Sequence, residues 1–461
     1  MSAAASLKAH TSALMALVDK YDSRVPRYTS YPTAVQFTPQ VDAETYSRWL
    51  SELPPDEAVS LYVHVPLCAR LCWYCGCNTR AVNRAEAVSD YVKVLAEEFA
   101  IAEPLLPGRL RASALHLGGG TPNMLSVDDL RVLFETVRHV FRLDADAEIA
   151  AELDPAVLTE AWVKAAAYHG LNRASLGVQN LSPNVQAAVN RVESFEDIAR
   201  CVGWLREAGV TSINLDLMYG LPHQTTANTL STIHQIVKLR PERIALFGYA
   251  HVPWMKAHQQ LIDESALPGP AERLEQSEAA AELLAAEGYV RIGLDHFALP
   301  GDELALAHAQ GRLRRNFQGY TVDAAPTLLG FGTSAISAMP QGFVQNNAQE
   351  LGWRKAVAMG QPPIARGVAL SDDDRWRGEI IERLMCDLAV DLDAVSARHG
   401  RDWRALAPEL ERLPQFERDG LLFVDGPVLR VTETGRLLVR SICAVFDVHL
   451  APEAQRHSKA L

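Results

Sequence analysis

From Val59 onward short apolar runs alternate with longer amphipathic stretches, and few folds accommodate that rhythm. Runs at 59–65, 112–117, 148–153, 174–178, 213–218, 243–247 and 290–297 have the length and composition of buried strands. The stretches between them, at 85–103, 127–140, 159–169, 195–208, 227–238 and 271–287, have helical spacing. Gly170 and Gly209 stand just before the next strand, where helices commonly end. Alternating β and α units predict an α/β fold, a parallel sheet with helices outside it. Six or seven units predict a partial or complete barrel, whose chemistry sits at the C-terminal ends of its strands.

The rhythm has boundaries. Residues 23–40 contain three prolines mixed with Arg and Tyr, too aromatic for a plain linker, and read as an extended arm packed on the domain. After 371, helical stretches at 375–388, 392–398 and 403–416 precede a hairpin-like 420–429 and a last helix at 432–446. That pattern predicts a small, mainly helical or winged-helix-like C-terminal domain. The expected division is an arm over 1–55, a barrel over 56–300, an extension and connecting segment over 301–370, and the C-terminal domain over 371–461.

At 48% hydrophobic the 461-residue chain has ample material for a large core. Its net charge of −12 lacks the basic footprint of a nucleic-acid binder. Residues 1–20 are interrupted by Lys8, His10 and Thr11, with no signal-peptide pattern. No apolar run is long enough to span a bilayer. The expected location is the cytoplasm.

Four of the seven cysteines, Cys68, Cys72, Cys75 and Cys77, fall within ten residues, which is no disulfide framework. Cys68, Cys72 and Cys75 form C-x3-C-x2-C just after the first predicted strand. Three thiolates on one loop can hold three corners of a [4Fe–4S] cluster, leaving the fourth iron open to a chelating ligand. The amino and carboxylate groups of S-adenosylmethionine are such a chelator, and electron transfer into its sulfonium releases a 5′-deoxyadenosyl radical. The alternative is a structural zinc site with Cys77 as fourth ligand, but zinc knuckles normally lie far apart in sequence. Cys201, Cys386 and Cys443 sit in helical stretches and read as packing residues.

Leu117-Gly118-Gly119-Gly120-Thr121-Pro122 ends the second strand. It is neither a Walker A motif nor G-x-G-x-x-G. Its glycines allow close approach of a ligand, and its carbonyls suit the ammonium of S-adenosylmethionine; a bare tight turn is the plainer alternative. Glu152 and Asp216 are carboxylates flanked by apolar strand residues, costly to bury without a partner such as ribose hydroxyls, an ammonium or an internal salt bridge. Gln179 and Arg191 follow the fourth strand, and Arg191 can hold a carboxylate bidentately. His64 and His251 receive no role.

C-x3-C-x2-C followed by G-G-T-P resembles the radical S-adenosylmethionine superfamily. More narrowly, the chain resembles the oxygen-independent coproporphyrinogen III oxidases. The resemblance is carried by Pro26-Arg27-Tyr28-Thr29-Ser30-Tyr31-Pro32-Thr33, Cys75-Gly76-Cys77-Asn78, Asn214-Leu215-Asp216-Leu217-Met218-Tyr219-Gly220-Leu221-Pro222 and Arg315-Asn316-Phe317-Gln318-Gly319-Tyr320. The C-terminal stretch 435–446 also fits.

The resemblance implies a partial (β/α)6 barrel with an N-terminal arm and a C-terminal helical domain. It implies oxidative decarboxylation of two propionates of coproporphyrinogen III to vinyls, giving protoporphyrinogen IX in haem biosynthesis. It also implies two S-adenosylmethionine molecules. Tyr62, Gly119, Glu152 and Ile336 would contact the cluster-bound one; Tyr74, Gly120, Thr121, Gln179, Arg191, Asp216 and Ala250 would contact the second. Tyr62, Cys77 and Gln318 are the implied catalytic residues. The implied partners are a flavodoxin or ferredoxin-type electron donor and an unidentified terminal acceptor, with a monomeric chain and neither nucleic acid nor membrane. Leu67, Asn123 and Met218 depart from the commoner family residues without removing a chemical group. Arg24, Arg27, Arg312, Arg314 and Arg315 are candidates for the substrate's carboxylates. A related haem-delivery protein is the competing reading, but such relatives typically lack the equivalents of Cys77 and of the Arg-Tyr-Thr-Ser-Tyr-Pro arm. A radical enzyme for another substrate is a further alternative, since fold does not fix function.

Overall fold

The computed structural model describes residues 14–21 and 24–450. Expectations that fall on 1–13, 22–23 and 451–461, including the start of the arm and the end of the C-terminal domain, lie outside the described residues.

Six strands, β1 (Val59–Val65), β2 (Arg111–Gly119), β3 (Arg142–Leu153), β4 (Arg173–Gln179), β5 (Ser212–Tyr219) and β6 (Arg243–Gly248), lie side by side in chain order. All five pairings are parallel. The helices α1 (Ala85–Ala102), α2 (Val127–Val140), α3 (Glu160–Tyr168), α4 (Phe195–Glu207), α5 (Thr226–Ile236) and α6 (Pro270–Ala286) follow the strands in turn. Ser126, Thr159, Ser194 and Thr225 cap α2 to α5 with their side chains, satisfying amides that the helix cannot. This is the expected (β/α)6 arrangement.

Side chains alternate across the strands. Leu115, Leu117, Ala174, Leu176, Val178, Leu215 and Leu217 pack into the main core. On the opposite face His116, Glu152, Ser175 and Asp216 are half-buried and bonded to one another in pairs. The enclosed side of the sheet is therefore polar, which suits a ligand and not a second apolar core.

The sheet continues past the barrel in both directions to twelve strands. Thr327–Phe331 adds to β1 in parallel, followed by antiparallel Ile336–Met339, Gly342–Asn346 and Ile364–Ala369. The run at 290–297, expected as one strand, is instead a hairpin of Val290–Ile292 and His296–Ala298, antiparallel to β6. Its turn needs Gly293, which has φ of +55°. A Cβ there would fall 2.1 Å from the Tyr320 ring. In the C-terminal region 403–416 and 432–446 are broken helices: Trp403–Leu406, Ala407–Leu410 and Pro414–Arg418, then Glu433–Arg436 and Val439–Cys443. Pro408 and Pro414 stand at N-terminal positions of new turns and cannot continue the old ones. A three-stranded sheet of Ala389–Asp391, Leu422–Asp425 and Val428–Val431 completes this region; the first of these strands had no clear sequence signal.

The arm is packed, as its aromatic content suggested. Val25, Tyr28 and Tyr31 are buried with Trp376, Ile380, Leu438 and Phe446 in a second core. Farther along, Thr38 and Gly367 exchange backbone hydrogen bonds of 2.7 and 2.9 Å, covering the edge of the outermost strand.

Glu98 on α1 ties the added strands to the barrel. Its carboxylate accepts from the Gly332 amide at 2.9 Å, Trp353 Nε1 at 2.8 Å and Asn346 Nδ2 at 2.6 Å. Burial outweighs these donors and pushes its carboxyl up to about 7. Between an unfolded value near 4.5 and about 7 the native state therefore holds a proton that the unfolded state has lost. Stability is expected to fall as pH rises through that window and to level off above it. Glu98→Gln, which cannot ionise, is expected to flatten that part of the profile; thermal midpoints across pH measure it.

Candidate active site

The cysteine loop leaves β1 and is held on every side by backbone contacts. Residues Leu67–Cys68 pair in parallel with Arg80–Ala81. The Gly120 and Thr121 amides donate to the Val65 and Leu67 carbonyls, both at 2.8 Å. The Trp73 amide donates to the Val189 carbonyl at 3.1 Å, and Gln259 Nε2 to the Tyr74 carbonyl at 2.9 Å. His258 Nε2 lies 2.7 Å from the Cys75 carbonyl, and Lys256 Nζ donates to that of Cys77 at 3.0 Å.

Each of the three sulfurs meets a polar hydrogen. Thr121 donates to Cys68 Sγ at 3.4 Å, with the Thr79 hydroxyl 2.9 Å from the same sulfur. Arg191 Nη1 donates to Cys72 Sγ at 3.5 Å, and the Cys77 amide to Cys75 Sγ at 3.4 Å. The Cys77 side chain, and then its amide, hold the Cys75 thiol down at about 6 against burial. Hydrogen bonds to sulfur tune an iron–sulfur centre. Among the described residues no three His, Cys, Asp or Glu side chains converge on a single-ion site. Three cysteines on one loop, each sulfur with a hydrogen-bond donor, are a donor set whose chemistry suits three corners of a cubane. Cys77 is exposed beside them, while Cys201, Cys386 and Cys443 are buried in packing positions.

The three glycines form the wall facing this loop. A Cβ on Gly118 would meet the Glu152 carboxyl and the Tyr62 ring at 3.0 Å; one on Gly119 would fall 2.6 Å from His64, and one on Gly120 2.7 Å from Thr79 Oγ1. Gly119 has φ of +110°, and its amide donates to Glu152 Oε2 at 2.9 Å. Burial pushes the Glu152 carboxyl up, but the His116 hydrogen bond and charge, with the Gly119 amide, hold it below its ordinary value. Tyr62 stacks on His116 with 5.8 Å between centroids, and its hydroxyl lies 2.9 Å from His64 Nδ1. Tyr62, Glu152 and Gly119 are thus one cluster. Ile336 adjoins it through Gly330, the register partner of Tyr62.

A second cluster lies across the loop. Arg191 is buried, not a solvated surface residue. Its Nη2 donates to the Gly177 carbonyl at 2.6 Å and lies 3.2 Å from Asp154 and 3.1 Å from Glu193, while its buried Nε has no partner among the described residues. Gln179, at φ +67°, follows a bulge in β4 beside the same Gly177. Asp216 accepts from Ser175 Oγ at 2.9 Å and Asn214 Nδ2 at 2.7 Å, and burial pushes its carboxyl up. Ala250 and Tyr74 are joined by Gln259 Nε2, which donates to both carbonyls. Gly120 and Thr121 face the cysteine loop itself. Gln318 stands apart, in a narrow cleft with Ser60, His116, Arg173 and Tyr320.

Beyond β5 and β6 opens a cavity of about 370 Å³ lined by Arg24, Arg27, Arg273, Arg291, Arg315 and Arg440, with Tyr219, Gly248 and Ala250 on the side of the cysteine loop. Arg24, Arg27 and Arg315 were sequence candidates. Arg312 instead bonds Gln310, and Arg314 pairs with Glu382 at 3.3 Å, so neither lines this cavity. Arg273, Arg291 and Arg440 lay unmarked in ordinary helical and strand patterns. His64 was noticed in the sequence but given no role and His116 was not marked, because only the fold brings them against Gly119 and Glu152.

Residues 62–236 match the radical S-adenosylmethionine superfamily and residues 370–438 the HemN C-terminal domain. The chain is 47% identical to the oxygen-independent coproporphyrinogen III oxidase of Bradyrhizobium diazoefficiens, covering 95% of this chain and 98% of the relative. It is 38% identical to the enzyme of the same name from Escherichia coli, covering 96% of each. The solved structure of coproporphyrinogen III oxidase (HemN) from Escherichia coli, described as a radical SAM enzyme, superposes with a TM-score of 0.89 at 36% identity, over 93% of this chain and all of that one. The chain belongs to the oxygen-independent coproporphyrinogen III oxidases of the radical S-adenosylmethionine superfamily.

Proposed function

We propose that this enzyme oxidatively decarboxylates two propionate side chains of coproporphyrinogen III to vinyls, giving protoporphyrinogen IX in haem biosynthesis. One observation carries the reading: a three-cysteine loop with a glycine cradle shares a wall with a cavity lined by six arginines. The substrate brings four carboxylates, and guanidinium groups bind carboxylates in a fixed planar geometry.

Cys68, Cys72 and Cys75 would hold a [4Fe–4S] cluster, leaving one iron for S-adenosylmethionine. When bound, this pair supplies hydrogen-atom abstraction from the unactivated β-carbon of a propionate. The protein's part is positional. Gly119 and Glu152 offer close backbone approach and an ionised acceptor, and the Tyr62 ring forms the adjoining wall. Tyr74, Gly120, Thr121, Gln179, Arg191, Asp216 and Ala250 surround a place for a second S-adenosylmethionine; the unpartnered Nε of Arg191 supports it, and Thr121 serves it less directly because its hydroxyl turns to Cys68. Cys77, exposed beside the cysteine loop, and Gln318, in the cleft that His116 also lines, are assigned to the reaction with Tyr62, and Ile336 to the first S-adenosylmethionine. The chemistry would need a flavodoxin or ferredoxin-type donor of the reducing electron and a separate acceptor for the one released with each CO₂. The chain acts as a cytoplasmic monomer; none of its described helices is long and apolar enough to cross a membrane. The division into arm, barrel, extension and C-terminal domain is part of this proposal; of its boundaries, the one near 371 is supported by the second core, which gathers Trp376 to Phe446 with Tyr21 to Tyr31 of the arm.

Anaerobic turnover of the reconstituted, reduced enzyme tests the reading. With coproporphyrinogen III, S-adenosylmethionine and a cell extract supplying the acceptor, protoporphyrin is expected after oxidation, with about two 5′-deoxyadenosines per product. Deoxyadenosine without protoporphyrin would remove coproporphyrinogen as the substrate; tight haem binding with neither product would favour a haem-delivery role.

A further inference from the structure

We propose that Asp295 accepts hydrogen bonds from the pyrrole N–H groups of the substrate, and so distinguishes the porphyrinogen from its oxidised porphyrin. The inference rests on the reading of the arginine-lined cavity as the tetrapyrrole site.

Among the described residues lining that cavity, Asp295 is the sole acid, set among six arginines. Its backbone is fixed: the Leu246 amide on β6 donates to the Asp295 carbonyl at 2.7 Å. Its Oδ1 lies 2.8 Å from His296 Nδ1, whereas Oδ2 makes no hydrogen bond with a described residue. Its one ion pair is with His296, so no described guanidinium neutralises it at contact distance. Burial pushes its carboxyl up, but His296, Arg315 and Arg27 hold it down at about 2. Arg315 lies across the Tyr320 ring, 4.4 Å from the centroid, with Nε and Nη1 lacking partners among the described residues. Arg315 thus keeps donors for a ligand carboxylate.

A cavity that met only carboxylates would gain nothing from an ionised acid, because like charges in a half-buried site repel. A ligand that also brings N–H donors explains it. Coproporphyrinogen has four pyrrole N–H groups on rings joined by saturated carbons, so several can turn toward one face and one acceptor. Coproporphyrin carries the same propionates on a flat aromatic ring, with two of its inner nitrogens now acceptors that face a carboxylate unfavourably. Sites built around a substrate's N–H donors reject analogues that lack them, because a buried polar group is left unpaired. The arginines therefore recognise the rim of the macrocycle and Asp295 its centre and oxidation state.

The test compares the KM for coproporphyrinogen III with the inhibition constant of coproporphyrin III in the reconstituted holoenzyme. For Asp295→Asn, KM is expected to rise about 10- to 100-fold, the loss typical of a hydrogen bond to a charged group. Inhibition by the porphyrin should stay the same or strengthen. Asp295→Glu, which keeps an acceptor, should retain part of the preference and guards against a folding defect in the amide variant. If both constants weaken together, Asp295 acts only by placing Arg27 and Arg315, and the proposal fails. It fails equally if neither constant moves. Absence of protoporphyrin formation by the unmodified enzyme would instead remove the reading of the cavity, a separate result.

Discussion

Cys72→Ser is expected to abolish turnover while leaving the chain folded. Cys72 is the buried member of the three-cysteine set, 8% exposed, and its sulfur already receives Arg191 Nη1 at 3.5 Å. A serine hydroxyl there is a far poorer ligand for iron than a thiolate. Two cysteines on a loop this short cannot hold a cubane with an open corner. After anaerobic reconstitution the variant should carry little iron and sulfide, lack the broad visible absorption of the cluster, and form neither deoxyadenosine nor protoporphyrin. The loop's shape rests on backbone contacts to Val189, Val65 and Arg80, so the circular dichroism should be unchanged. Cys201→Ala is the control. Cys201 is fully buried and donates to the Pro155 carbonyl at 3.6 Å, so its loss should lower the thermal midpoint and leave the cluster intact. Full activity in Cys72→Ser would mean that the cluster is held elsewhere.

The second large effect is expected at Gly119. Alanine there meets two independent penalties. Its φ of +110° is a backbone conformation that side chains avoid, and the added Cβ would fall 2.6 Å from the His64 ring. Strain of this kind costs on the order of 1–3 kcal/mol. His64 cannot move away freely, because it is tied to the Asn78 carbonyl at 2.9 Å and to the Tyr62 hydroxyl at 2.9 Å. The displacement therefore passes to the cysteine loop and to Tyr62. Misplacement of reacting groups by about 1 Å commonly costs around 100-fold in rate. Gly119→Ala is expected to lose at least about that factor in deoxyadenosine formation, with weaker S-adenosylmethionine binding by calorimetry. Gly108→Ala, at φ +151° with nothing within 4 Å of the added carbon, separates the two penalties: it should cost stability alone.

How much of this was legible depended on what each feature needs. The barrel strands were readable because each combines a short apolar run with a helix terminator or cap. Residues 59–65 and 127–140 were bounded to the residue. The cysteine loop and the glycine turn were legible for another reason: their chemistry needs contiguous residues. The antiparallel wing at 327–369 was hidden, because its strands are short and their partners are set by tertiary pairing. The 290–297 hairpin was missed because Gly293 looked like an interruption within one run, and only the Tyr320 ring behind it explains the turn. The arginine cavity was half-read. Its arm contribution stood out in an unusual stretch, while Arg273, Arg291 and Arg440 are indistinguishable from surface arginines until distant elements meet.

The packing of the arm carries a consequence for the order in which the enzyme becomes competent. The Tyr28 hydroxyl donates to Asp447 at 3.0 Å, a contact between residues 419 positions apart. Arg440 Nη1 reaches the Val25 carbonyl at 3.3 Å across 415 positions. On the ribosome the arm emerges long before its partners, with Tyr28 made 419 residues ahead of Asp447. The barrel's neighbouring strands can pair as each is synthesised, but closing so long a loop must wait until Arg440 and Asp447 have been made. The arginine cavity takes Arg24 and Arg27 from the arm and Arg440 from the helical region after 371. A nascent or truncated chain can thus build the cysteine loop long before it can build a place for a tetrapyrrole. Assembly of the radical-generating part and of the substrate-holding part are separate events in time, and the sequence distance from the cysteine loop to Arg440 sets the interval between them.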